Sequence, residues 1–195
     1  QGKEQRNVRR KKMSKNSSKK AFNIAFCGII TAIAIISMFA SLIPAMTYAL
    51  PAIAGLIIWT ASMQVNRKWG ILCYIAVSIL SFVLVPEIEA NMYLMLFFGY
   101  YPIVRDLLDV IKNKLLRFLV KLGIFNTAVI IGFNILSLIL PFEQLISGME
   151  DFGEYAVLVL WLAANVAFFF YDMCLDSIHY AYDRWLKPKI NRLSK

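Results

Sequence analysis

Residues 21–43 constrain this chain more than any other stretch. They read AFNIAFCGIITAIAIISMFASLI, without a charge and with Asn23 as the one strongly polar side chain. As a helix rising about 1.5 Å per residue, they span roughly 35 Å, enough to cross a hydrocarbon core of about 30 Å. Ahead of them lie residues 1–20, with nine Lys or Arg and one Glu. A long apolar helix behind a basic arm enters a membrane with the arm left in the cytoplasm. That orientation predicts the side on which every later loop lies.

The rest of the sequence fits this frame. It is 59% hydrophobic with a mean hydropathy of +0.63, and only 17% of its residues are charged. A soluble domain of 195 residues carries more charge. The apolar runs are continuous, so a β-barrel with alternating segments is excluded, and the expected class is an all-α integral membrane protein. The net charge of +9 is a product of membrane topology and argues for no nucleic-acid partner. Cys27, Cys73 and Cys174 all lie inside apolar runs without a CxxC pair, which predicts buried free thiols. The first apolar run exceeds the 7–15 residues of a signal peptide's apolar core and is expected to stay.

Six spans are expected, beginning with residues 21–43, 48–63 and 69–85. A short fourth run starts near Ala90 and holds Gly99 and Pro102. Spans at 116–140 and 154–178 complete the set. Between the fourth and fifth, RDLLDVIKNKLLRFLVK has a helical apolar period beneath charged positions, as an amphipathic segment at the inner surface does. With the N-terminus inside, the inner segments are 1–20, 64–68, 105–121 and 179–195. They hold all 21 Lys and Arg. The outer loops near 44–47, 86–90 and 141–154 hold none, and carry Glu87, Glu89, Glu143, Glu150, Asp151 and Glu154 instead. The expected arrangement is a basic arm at 1–20 that is disordered or lies on anionic headgroups, a six-helix bundle at 21–180 and a basic tail at 181–195. Both ends then lie in the cytoplasm, and the protein in the cell membrane.

Four groups of residues stand out. Ala21, Ala25, Gly28 and Ala32 share one face of the first helix, where small side chains let another helix approach closely. That face serves either a partner subunit or packing within the bundle. At the outer end, acids alternate with Tyr48, Tyr93, Phe142, Phe152, Tyr155 and Trp161, a composition suited to a cationic or heteroaromatic ligand. Glu87, Asn91, Tyr93, Trp161 and Asn165 are the candidate pocket residues. Asn165, Asp172, Asp176 and Asp183 form one stripe on the sixth helix; Asp172 and Asp176, near its inner end, are within reach of Arg105, Lys112 or Arg117 for inner ion pairs, with a proton relay or a contact to a cytoplasmic partner as the alternatives. His179, the single histidine, stands beside Tyr180 and Tyr182. No HExxH, Walker A or GxSxG motif occurs, so neither a metal, a cofactor nor an enzymatic reaction is implied.

The size, the six expected spans, the Ala21-xxx-Ala25 start of helix one and the basic inner loop after LMLFFGYYPIVRDLL resemble a known family. They are similar to the S components of energy-coupling factor (ECF) transporters, the vitamin-uptake systems of Firmicutes and relatives. The resemblance covers about residues 20–185. It implies an outward-opening pocket for a small metabolite, built from the outer loops and the last three helices. It also implies docking through helix one, with Ala21 and Ala25 in the docking positions, on a membrane-embedded coupling subunit driven by two ATPases. The 20-residue basic arm departs from that pattern and leaves room for a different cytoplasmic partner. The competing expectation is a membrane scaffold of cell-envelope assembly without transport. A lipid-modifying enzyme using Asp172, Asp176 and His179 is the third.

Overall fold

A computed structural model describes residues 2–43, 46–139, 141, 150–182 and 184. Every regular element among them is helical. Helix α1 runs Gly2–Phe39, with a 3₁₀ turn at Ala40–Leu42. It is followed by α2 (Ala49–Gln64), α3 (Arg67–Leu84), α4 (Ile88–Tyr93), α5 (Tyr101–Leu108), α6 (Lys114–Ile139) and α7 (Ala156–Ala181). Four stretches are long and apolar enough to cross a membrane: Ser17–Leu42, Arg67–Leu84, Lys114–Ile139 and Ala156–Ala181. The architecture is that of a helical membrane protein.

Local chemistry sets several boundaries. Asn66 starts α3, its side-chain oxygen accepting from Trp69 N–H at 3.2 Å. Asn113 does the same for α6, accepting from Leu115 N–H at 3.0 Å. Both satisfy donors that a helix start leaves without intrahelical partners. Pro102 sits in the first turn of α5, where its missing N–H costs nothing.

Helices α1, α2 and α3 form the tight part of the core around Ala34, Met38, Ala54, Ile58, Cys73 and Val77. Gly55 of α2 meets the broken segment that follows α4. A Cβ at this position would collide with the Phe98 carbonyl oxygen, so the approach needs a residue without a side chain. The backbone there is wound as a π turn over Leu94–Phe98, with Gly99 N–H donating to Leu94 C=O at 2.8 Å. The Met95 carbonyl accepts from Tyr74 Oη at 2.7 Å. A side chain from α3 thus takes up an acceptor inside the irregular turn.

The structure departs from the sequence-based expectations in several places. The arm at 1–20, expected to be disordered or to lie on anionic headgroups, is helical from Gly2 as the first part of α1, which removes the disordered alternative and leaves the other. Extending an existing helix needs no new nucleus, and the arm's Lys, Arg and Gln accept helical geometry readily. The second run is a helix of only 16 residues, α2. The fourth is not one helix but α4, the π turn and α5, divided at Gly99–Tyr100. The amphipathic segment at 105–121 is shared between two elements: α5 ends at Leu108 and the Asn113 cap opens α6. Cys27 and Cys73 are buried, but Cys174 is exposed, because α7 turns that side away from the bundle. Among the outer-end residues named above, Phe142 and Glu143 lie outside the described residues, as do Asp183 and residues 185–195 of the tail.

Candidate functional site

Polar side chains from α2, α5 and α6 converge on α7. Phe168 and Leu175, with Tyr182 at the helix end, recur every seven residues and are buried. Interleaved with them at the same spacing are Asn165, Asp172 and His179. A seven-residue repeat keeps one seam of a helix against its neighbours. In α7 that seam alternates apolar and polar positions.

Each polar position meets different partners. Asp172 is the busiest. Its Oδ1 accepts from Tyr101 Oη at 2.8 Å and from Arg105 Nε at 3.0 Å, and its Oδ2 accepts from Lys121 Nζ at 2.9 Å. Arg105 also pairs with Asp176. The Arg105 side chain is 2% exposed and that of Lys121 7%, whereas that of Asp176 is 72% exposed. Two buried cations therefore meet one largely buried carboxylate, and a second carboxylate at the surface balances the charge. Such a cluster is tolerable away from water only because each ion has a counter-ion and hydrogen bonds.

About two turns closer to the start of α7, Asn165 pairs with Asn126 of α6, whose Nδ2 donates to Asn165 Oδ1 at 3.0 Å. Asn126 Oδ1 in turn accepts from Trp161 Nε1 of α7 at 2.7 Å. Towards the other end of α7, the His179 ring lies 5.4 Å from that of Trp59 in α2. Trp59 Nε1 donates to Asp106 Oδ2 at 2.7 Å. Tyr182 Oη donates to Gln64 Oε1 at 2.6 Å, closing the seam against the end of α2.

The candidate pocket residues separate into two groups. Trp161 and Asn165 belong to the α6–α7 contact just described. Glu87, Asn91 and Tyr93 sit around α4. Asn91 is buried, and its Nδ2 donates to Val85 C=O at 2.8 Å. Tyr93 packs on Tyr48, the ring centroids 5.1 Å apart. Glu87 lies near Glu89, whose carboxyl is pushed above the usual carboxylate range, first by burial and then by the Glu87 charge. The small residues Ala21, Ala25, Gly28 and Ala32 are all exposed, while Cys27, Ile30, Ala34 and Met38 on the other side of α1 are buried.

Of the cations considered for the inner ion pairs, Arg105 meets Asp172 and Asp176. Arg117 pairs with Asp109 at 3.3 Å instead, and Lys112 is exposed. Sequence reasoning missed Lys121 and Tyr101. Lys121 stands between FLV and LGIF inside the fifth expected span, and a cation set into such a run is the signal for a buried counter-ion. Among the described residues, no group of three His, Cys, Asp or Glu is placed to hold a metal ion. The arrangement fixes α7 through charge and hydrogen bonding. No protein-family model, curated protein or solved structure matches the chain.

Proposed function

We propose that this protein is a non-enzymatic membrane subunit that docks through α1 on a second membrane protein. In the fuller form of the proposal it binds a small metabolite for an ECF-type uptake system, whose separate ATPases supply the energy. The observation that carries the docking reading is the face of α1 bearing Ala21, Ala25, Gly28 and Ala32. All four are exposed, and a Cβ added at Gly28 would meet nothing within 4 Å. Among the described residues, packing inside the bundle does not use that face, and small residues are what a close helix–helix contact in lipid requires. Six crossings with both ends in the cytoplasm belong to the same proposal. They are supported by the placement of all 21 Lys and Arg in segments on one side.

One observation favours a second reading, a scaffold without transport: Glu87, Asn91 and Tyr93 make contacts separate from those of Trp161 and Asn165. Co-purification from the native host tests the docking face. The wild-type chain is expected to bring down a membrane subunit and ATPases, and Ala25→Trp or Gly28→Trp to lose them while melting normally. Unchanged recovery of those proteins by both variants would remove the docking reading. A thermal-shift screen with vitamins and cationic metabolites then separates transport from scaffolding, since a bound ligand raises the melting temperature by mass action.

A further inference from the structure

A groove of about 530 Å³ opens between the π turn and α6. One wall is the π turn and its continuation, with Met95, Leu96 and Tyr100. The other is α6, from Val120 through Gly123 and Thr127 to Ile131. The lining is mostly apolar, and the Thr127 hydroxyl is already spent on Gly123 C=O at 2.8 Å. A polar metabolite would find few convergent partners here. The walls come together near the Ile131 end, where a Cβ on Gly132 would lie 3.2 Å from Leu96 Cδ1.

Beyond the opposite end the surface is basic. Arg117 precedes Val120, Ile124, Thr127 and Ile131 by 3, 7, 10 and 14 residues and so shares their face of α6. It is partly exposed and pairs with Asp109 at 3.3 Å. Lys112 and Lys114 stand exposed just before it. From Val120 to Ile131 the groove wall is about 16 Å long at 1.5 Å per residue, close to half of a ~30 Å hydrocarbon core.

We propose that this groove holds one acyl chain of an anionic phospholipid, with the headgroup phosphate at Arg117, Lys112 and Lys114. The depth matches a single leaflet, whereas a partner helix would need a groove across the whole core. The apolar lining suits a hydrocarbon chain. The basic end has a net positive charge even with Asp109 counted, as a phosphate requires.

Native mass spectrometry of the full-length protein from nanodiscs of mixed phosphatidylglycerol and phosphatidylcholine tests this. The wild type is expected to retain phosphatidylglycerol in preference to phosphatidylcholine. Gly123→Trp fills the groove, since a Cβ there meets nothing within 4 Å, and should abolish retention. Arg117→Gln should leave the groove open but lower the preference for the anionic lipid about fivefold, the value of one charge near a headgroup. Ile79→Trp, exposed on α3 and outside both the groove and the α1 face, controls for the added bulk, and thermal melting controls for folding. Folded Gly123→Trp that retains as much phosphatidylglycerol as the wild type overturns the proposal. So does an Arg117→Gln variant with unchanged preference, or a photocrosslinker at Thr127 that captures protein rather than lipid.

Discussion

Asp172 and Asp176 are both acids on α7 and both touch Arg105, yet they should differ sharply on substitution. Asp172 is largely buried and answers two buried cations. Asp172→Ala leaves Arg105 and Lys121 short of a counter-ion, a loss of about 3–5 kcal/mol by analogy with broken buried pairs. Asp176 is mostly in solvent, and Asp176→Ala is expected to cost under about 1 kcal/mol. Thermal unfolding of the two variants in detergent reads the difference, and equal melting temperatures would show that the cluster does not hold α7. Glu89 gives a pH signature at the same scale. Its carboxyl is raised by burial and by Glu87, so its contribution to stability is complete below the unfolded carboxylate range. It is lost as the pH rises through the higher, folded value. The wild type should therefore lose stability over that rise, and Glu89→Gln should flatten the slope in a melting series against pH.

At the scale of elements, Gly55 marks a tight contact between α2 and the π turn. Gly55→Ala places a methyl against the Phe98 carbonyl, and a shift of either segment should cost about 1–3 kcal/mol, seen as a lower melting temperature or folded yield. The α6–α7 contact is softer. Asn126→Ala removes bonds to Trp161 and Asn165, each worth about 0.6 kcal/mol in a membrane helix pair, and a thermal melt should register only a small loss. These elements also show what sequence conveys and what it does not. The apolar lengths of α1, α3, α6 and α7 are local properties and can be read directly. The need of Asp172 for a cation follows from its apolar surroundings, and Arg105 is among the few cations that helical spacing brings within reach. The π turn cannot be read, because a shift from i+4 to i+5 bonding leaves no mark in the apolar period; Gly99 and Pro102 signal only a break. Lys121 escapes notice because it closes the charged stretch 105–121 in sequence, while its burial depends on α5 and α7. The small-residue face of α1 is visible as a stripe, but its direction depends on where α2 and α3 pack.

For the molecule as a whole, the segregation of charge predicts a sidedness that labelling can read. Single cysteines at Lys112 and Ile88, in a background without native cysteines, should react with an impermeant reagent from opposite faces of the membrane. Reaction of both from the same face would remove the six-crossing arrangement.

The Asp172 cluster also has a direction in time. Ribosomes deliver Arg105 and Lys121 first, and the carboxylate that answers them comes about fifty residues after the lysine. Until then both cations must wait at the aqueous boundary or inside the insertion machinery, since an unanswered charge is costly in hydrocarbon. Helix α7 is thus the latch of assembly: chains halted before it should be held back by quality control, even though most of the apolar core that precedes it has been made.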